Sequence, residues 1–249
     1  MSEVKIEIKK TGKLFHYAHF ICDVLFPEVN MHLYNYKTIY VRKDIEQTIG
    51  IFKKIFEEIM GNKYEELYPG RFAKMDCELK IVNRFNFLKV ENFLFFRKYI
   101  WDKLGINFDK NYPEIILIER GNHIELVDDK YLKNLNFDHS NGKEKREIVK
   151  INELKIFMQN NFGKKYKCVI LEDTTFIEQV KLFFNAKIII AIHGGALANM
   201  FFCKSGTKVL EILGERKWRF FDVISKNLNL IHKKCENNLE TIKNNIINI

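Results

Sequence analysis

Short apolar runs separated by amphipathic stretches organise the second half of the chain. The pattern predicts strands over 114–119, 168–171, 187–192 and 208–213, and helices over 129–135, 148–160, 175–184, 196–202 and 218–228. A polar stretch at 138–145 is the one long interruption. Strands of nearly unbroken Ile, Leu and Val alternating with helices are buried on both faces, which is the pattern of a parallel sheet covered by helices on each side.

The first half is less regular. A helix is expected over 14–26, with Phe15, Ala18, Cys22 and Leu25 at helical spacing and with His16, His19 and Asp23 on a neighbouring stripe. A strand follows over 38–41. Asp44 then opens a helix whose apolar stripe is Ile45, Ile49, Phe52, Phe56 and Ile59, and Gly61 stands at its C-terminal cap. Pro69-Gly70 marks a turn, 79–82 a strand, and an aromatic helix over 91–104 ends at Gly105. The lobe boundary is expected near 105–113, which gives lobes at 1–110 and 111–249.

One segment carries candidate chemistry. The β-forming run 187–192 ends abruptly in His193-Gly194-Gly195, and a helix beginning Ala196-Leu197-Ala198-Asn199 follows at once. Open α/β sheets place ligands at such a carboxyl end, where glycines allow close approach and the N–H groups of the first helical turn attract anions. A diphosphate suits that position. Gly-Gly is also ordinary turn chemistry, so spacing alone leaves a purely structural His193 open. Neither GxGxxG nor GxxxxGK[ST] occurs, which removes the main support for dinucleotide and P-loop readings.

Composition narrows the partners. Lys and Arg number 41 against 32 Asp and Glu, a formal charge of +9, which favours anions such as nucleotides, phosphates and acidic membrane surfaces. No aromatic-interleaved basic stripe or nucleic-acid motif appears, so nucleic acid is not expected as the partner. The five cysteines include no CxxC pair and predict neither a zinc site nor a disulfide framework. Met1-Ser2-Glu3-Val4-Lys5 mixes charges where a signal peptide would be apolar, and a cytoplasmic protein is expected, with a peripheral membrane contact compatible with its charge.

The ordered set Glu172, Phe176, Gln179, Phe183, Ala186, His193, Gly194, Leu197, Asn199, Phe202, Gly206, Val209 and Glu211 resembles the signature block of glycosyltransferase family 61. That family includes plant xylosyl- and arabinosyltransferases, O-linked N-acetylglucosamine transferases and bacterial capsule enzymes. Two further blocks are similar to it: 115–119 running into Arg120, and His16-Tyr17-Ala18-His19-Phe20-Ile21-Cys22-Asp23. The family often carries a second Arg shortly after the first, whereas Gly121-Asn122-His123 follow here.

The resemblance implies a GT-B type α/β fold of two Rossmann-like lobes facing across a cleft, the N-terminal one on the acceptor side and the C-terminal one holding the nucleotide-sugar. It implies an inverting, metal-independent transferase of polysaccharide biosynthesis. Such an enzyme moves a hexosyl or pentosyl group from a nucleotide-sugar, with UDP-sugars favoured, to a hydroxyl of a glycan or glycoconjugate. No cofactor is expected. Arg120, Glu172, His193, Gly194, Gly195, Ala196, Leu197, Asn199, Lys204 and Glu211 would form the donor site. Asp23 would be the general base, with His19 and His16 as alternatives or orienting groups. A nucleotide-sugar-binding relative without catalysis and a basic nucleic-acid-binding protein are the competing readings.

Overall fold

The computed structural model describes residues 16–33, 52–61, 87–122, 146–214 and 219–249, together with short strands at 5–6, 39–42, 64–67 and 79–80. The expected helix at 129–135, the polar stretch 138–145 and the turn at Pro69-Gly70 lie outside the described residues. The chain divides into two units, Met1–Ile100 with Glu125–Asp138, and Trp101–Ile124 with His139–Ile249.

In the first unit, β1 (Lys5–Ile6), β2 (Ile39–Arg42), β3 (Tyr64–Leu67) and β4 (Leu79–Lys80) form a parallel sheet in the order β3-β2-β1-β4. The chain first extends the sheet to one side of β1 and then returns to its other side, which is the doubly wound reversal. After β1 comes α1 (Tyr17–His19), which passes directly through a π-helical stretch, Phe20–Leu25, into α2 (Phe26–Leu33). The sequence signals an ordinary helix here. Apolar spacing does not distinguish the wider π turn, a form that recurs at functional sites.

Two amphipathic helices complete what is described of this unit. In α3 (Lys53–Met60), Phe56 and Ile59 are buried while Glu57 and Glu58 are exposed. Gly61 ends it at φ +55°, a left-handed conformation that glycine adopts without a Cβ penalty. In α4 (Val90–Lys103), Phe93 and Phe96 pack their rings against Phe26, with centroids 4.9 and 5.3 Å apart.

The second unit contains the predicted alternating pattern. Strands β5 (Ile115–Glu119), β6 (Tyr166–Ile170), β7 (Ile188–Ile192), β8 (Lys208–Leu213) and β9 (Ile231–Glu236) form one parallel sheet in the order β6-β5-β7-β8-β9. Its helices are α5 (Ile151–Phe162), α6 (Phe176–Asn185), α7 (Phe220–Asn227) and α8 (Leu239–Ile247). The fold is therefore α/β, as the hydrophobic pattern implies. Neither β9 nor α8 is among the expected elements. As the outer strand, β9 carries charge in Ile231-His232-Lys233-Lys234-Cys235-Glu236 and lacks the apolar run of its inner neighbours.

Strand alternation divides this sheet into two faces. Ile115, Leu117, Ile190, Ile192, Leu210, Ile212 and Cys235 share one core with Leu154 and Met158 of α5 and Ile242 and Ile246 of α8. The intervening positions, including Ala191, Val209 and Glu211, point to the opposite face.

Where the expected helix at 196–202 should lie, Gly195–Phe202 is a 3-10 helix instead. At about 2.0 Å per residue this tighter form covers more length per residue than an α-helix would. It carries the chain from the carboxyl end of β7 back toward the amino end of β8. No helix among the described residues is long and apolar enough to cross a membrane.

Candidate functional site

The order of the second sheet fixes where a ligand should sit. From β5 the chain goes to β6 on one side, then crosses to β7 on the other, so the switch point lies between the carboxyl ends of β5 and β7. Those two strands pair with Ile118 opposite Ala191. Two residues further along, Arg120 leaves β5 and His193 leaves β7, so the register itself brings these two predicted residues together.

Gly194 extends this juxtaposition. A Cβ there would meet Nη1 of Arg120 at 2.8 Å, so only a residue without a side chain lets the guanidinium lie against the turn. Gly121 is comparable: a Cβ would meet Cγ2 of Ile170 at 2.9 Å and Oε2 of Glu172 at 3.2 Å. Glu172, in the 3-10 turn after β6, thus joins the same strand-end cluster. Gly194, Gly195 and Ala196 are half-buried, while His193 before them and Leu197 after them are buried. The turn is accordingly open along three residues of backbone. The N–H groups of Gly195 and Ala196 precede the first 3-10 hydrogen bond, from Leu197 N–H to the Gly194 carbonyl at 3.1 Å, and so have no partner within the helix.

The electrostatics favour an anion. Arg120 makes no hydrogen bond or ion pair with any described residue, and its Nε is buried. Burial lowers its pKa and the neighbouring Arg146 lowers it further, against an opposing pull from Glu172. Arg146 donates from Nη1 to the His193 carbonyl at 2.7 Å and lies under Gly214 at the end of β8. A second guanidinium therefore does stand beside the first, supplied 26 positions downstream and not by the residues after Arg120. Sequence inspection missed it because Arg146 follows a polar stretch, where one more basic residue gives no periodic signal.

His193 is held from behind by buried charge. Glu211 projects from β8 onto the face that carries His193, and its Oε1 is in very short contact with His193 Nδ1. Burial pushes the Glu211 carboxyl up, but the close contacts and charge of His193 and His232 outweigh it and hold the group at about 2. An ionised carboxylate only accepts, so Nδ1 carries the proton and Nε2 is the ring nitrogen left for a ligand. Glu211 is 1% exposed and His193 4%, so the carboxylate acts through the imidazole and its own reach to a ligand is closed.

Three other predicted residues lie elsewhere. Leu197 and Asn199 are fully buried, and Asn199 Nδ2 donates to Oε1 of Gln179 at 3.1 Å. Gln179 in turn donates to the Leu171 carbonyl at 3.0 Å, so the two amides brace the 3-10 helix against α6 and the turn after β6. Lys204 is not brought to the cluster. The crossover has carried it to the amino-end side of the sheet, where its Nζ lies 4.7 Å from the ring centroids of both Phe108 and Phe184.

In the first unit, His16 precedes α1, and His19 Nδ1 lies 2.7 Å from Asp23 Oδ2 across the start of the π stretch. Asp23 is the residue of that stretch that escapes full burial. Five positions on, the buried Glu28 has neither carboxyl oxygen hydrogen-bonded to a described residue, and burial raises its pKa to about 8. Sequence reasoning passed over Glu28, which reads as one exposed charge on a helix.

The comparisons agree with the geometry. A family model described as Glycosyltransferase 61 matches residues 17–210 of the 249-residue chain, and the chain belongs to that family. No curated protein matches it.

Proposed function

We propose that this member of glycosyltransferase family 61 is an inverting, metal-independent enzyme that moves a sugar from a UDP-sugar to a hydroxyl of a glycan or glycoconjugate. The observation that carries the proposal is the convergence of Arg120 with the open turn 193–196 at the switch point, with no ion pair between Arg120 and a carboxylate among the described residues. In this reading the two guanidinium groups of Arg120 and Arg146 and the N–H groups of Gly195 and Ala196 surround the donor's diphosphate, while Nε2 of His193 accepts from a hydroxyl of the donor. The guanidinium and N–H groups balance the negative charge without a metal.

The reaction needs a base on the acceptor side. Asp23, oriented by His19, takes the proton of the acceptor hydroxyl. The oxygen attacks the anomeric carbon from the face opposite the leaving group, the bond from that carbon to the phosphate oxygen breaks, and configuration inverts. UDP departs with its added charge met by the arginines and amide dipoles. Two doubly wound units, each with its own switch point, support a GT-B arrangement, with the acceptor on the first unit and the donor on the second.

The test compares donor turnover with nucleotide binding. A panel of nucleotide-sugars screened by thermal shift identifies the donor, since a ligand stabilises in proportion to its occupancy. With that donor, Asp23→Asn should lower transfer by about 100-fold or more while leaving UDP affinity within about twofold. Normal turnover in that variant rules out the base assignment. Loss of UDP affinity on adding a chelator rules out metal independence.

A further inference from the structure

Behind Glu211 lies a second imidazole with no part in the donor site. His232 projects from β9 opposite Val209, on the same sheet face as Glu211, and its side chain is 5% exposed. Its Nε2 lies 2.9 Å from Glu211 Oε2, and its Nδ1 lies 3.4 Å from Asp222 Oδ1 on α7. The Nε2 contact is close but poorly aligned, so it is an electrostatic contact more than a formed hydrogen bond. Lys234, also on β9, sits 2.6 Å from Asp222 Oδ1 and 3.9 Å from Glu211 Oε2. A chain of groups thus runs from the strand-end turn to the surface: His193, Glu211, His232, and the half-exposed pair of Asp222 and Lys234.

Glu211 could otherwise turn. A carboxylate with one oxygen bound to His193 and the other left alone in an apolar layer would share or swing its charge, and the imidazole would lose its single orientation. His232 occupies the second oxygen, and Asp222 occupies the far side of His232. The close approach of each group limits how its neighbour can turn.

We infer that His232 is a positioning residue, which fixes Glu211 so that His193 is held as the Nδ1–H tautomer with Nε2 presented as an acceptor to a hydroxyl of the donor nucleotide. The inference rests on the donor-site reading for its effect on binding, but the effect on His193 itself is independent of any ligand. His232 never touches substrate. It acts through Glu211, and Asp222 and Lys234 act through it.

Nitrogen NMR of ring-labelled histidines in the full chain, with UDP titration and thermal melting alongside, tests this in wild type, His232→Gln and His232→Leu. In wild type the neutral His193 ring should show a single tautomer with Nδ1 protonated. His232→Leu should give mixed tautomers and weaken UDP about fivefold, the scale of one neutral hydrogen bond. His232→Gln, whose amide can donate to Oε2, should restore both. An unchanged His193 spectrum in His232→Leu overturns the inference, even if that variant is less stable. Altered tautomers in His232→Leu with no UDP binding by wild type would uphold the positioning and contradict the donor-site reading.

Discussion

Glu28 in the first unit and Glu211 in the second are buried to the same extent, each 1% exposed, yet one sits at about 8 and the other at about 2. Burial alone acts on both in the same direction, since it disfavours the charged form. The difference is partnership. Glu211 faces His193 and His232, whereas neither oxygen of Glu28 has a hydrogen-bond partner among the described residues. A buried carboxyl in this molecule is thus held charged where imidazoles face it and pushed toward the neutral form where burial acts on it without such partners.

The contrast fixes opposite pH dependences. Glu211 has a folded-state value below its unfolded one, so its contribution is complete above about 4.5 and is lost as pH falls toward 2. Glu28 has a folded-state value above its unfolded one, so the folded state keeps a proton that the unfolded chain releases. Stability therefore falls as pH rises from about 4.5 to 8, and the penalty is constant above that.

Glu211→Gln should have the largest effect: it leaves two imidazoles around a neutral amide, costs about 3 kcal/mol of stability at neutral pH, and flattens the acid limb of a urea-melt pH series. An unchanged acid limb would mean that the carboxylate is not balanced as described. Glu28→Gln should act the other way, raising Tm by several degrees at pH 8 to 9 with little change at pH 4. Equal shifts at both pH values would contradict a protonated Glu28. Cations show the same contrast more weakly. Lys204 is capped by two rings, and Lys204→Ala should cost about 0.5–1 kcal/mol in thermal melts without changing UDP affinity. A marked loss of UDP affinity would return Lys204 to the donor site.

The second unit was legible because its strands are continuous apolar runs and its turn is marked by glycine. The run 187–192 ending in His193-Gly194 pointed to the strand-end turn at which the candidate site lies. Three features were not legible, each for a physical reason. Arg146 becomes a partner of Arg120 only through long-range folding across the carboxyl ends of the sheet. The outer strand β9 reads as polar, which concealed His232. Lys204 follows the turn closely in sequence, but an extended eight-residue 3-10 helix carries it away from the site. Asn199 and Gln179, whose order helped the family resemblance, act as internal braces, so a signature can mark a fold as much as a ligand contact.

The central claim is that Arg120, set against Gly194, grips the diphosphate of a nucleotide-sugar. Isothermal titration of UDP into wild type and Arg120→Ala at one salt concentration tests it most directly. The account predicts saturable binding by wild type and a loss of about 10- to 100-fold in the variant, with the fold retained in thermal melts. Equal UDP affinity in the two proteins would contradict it.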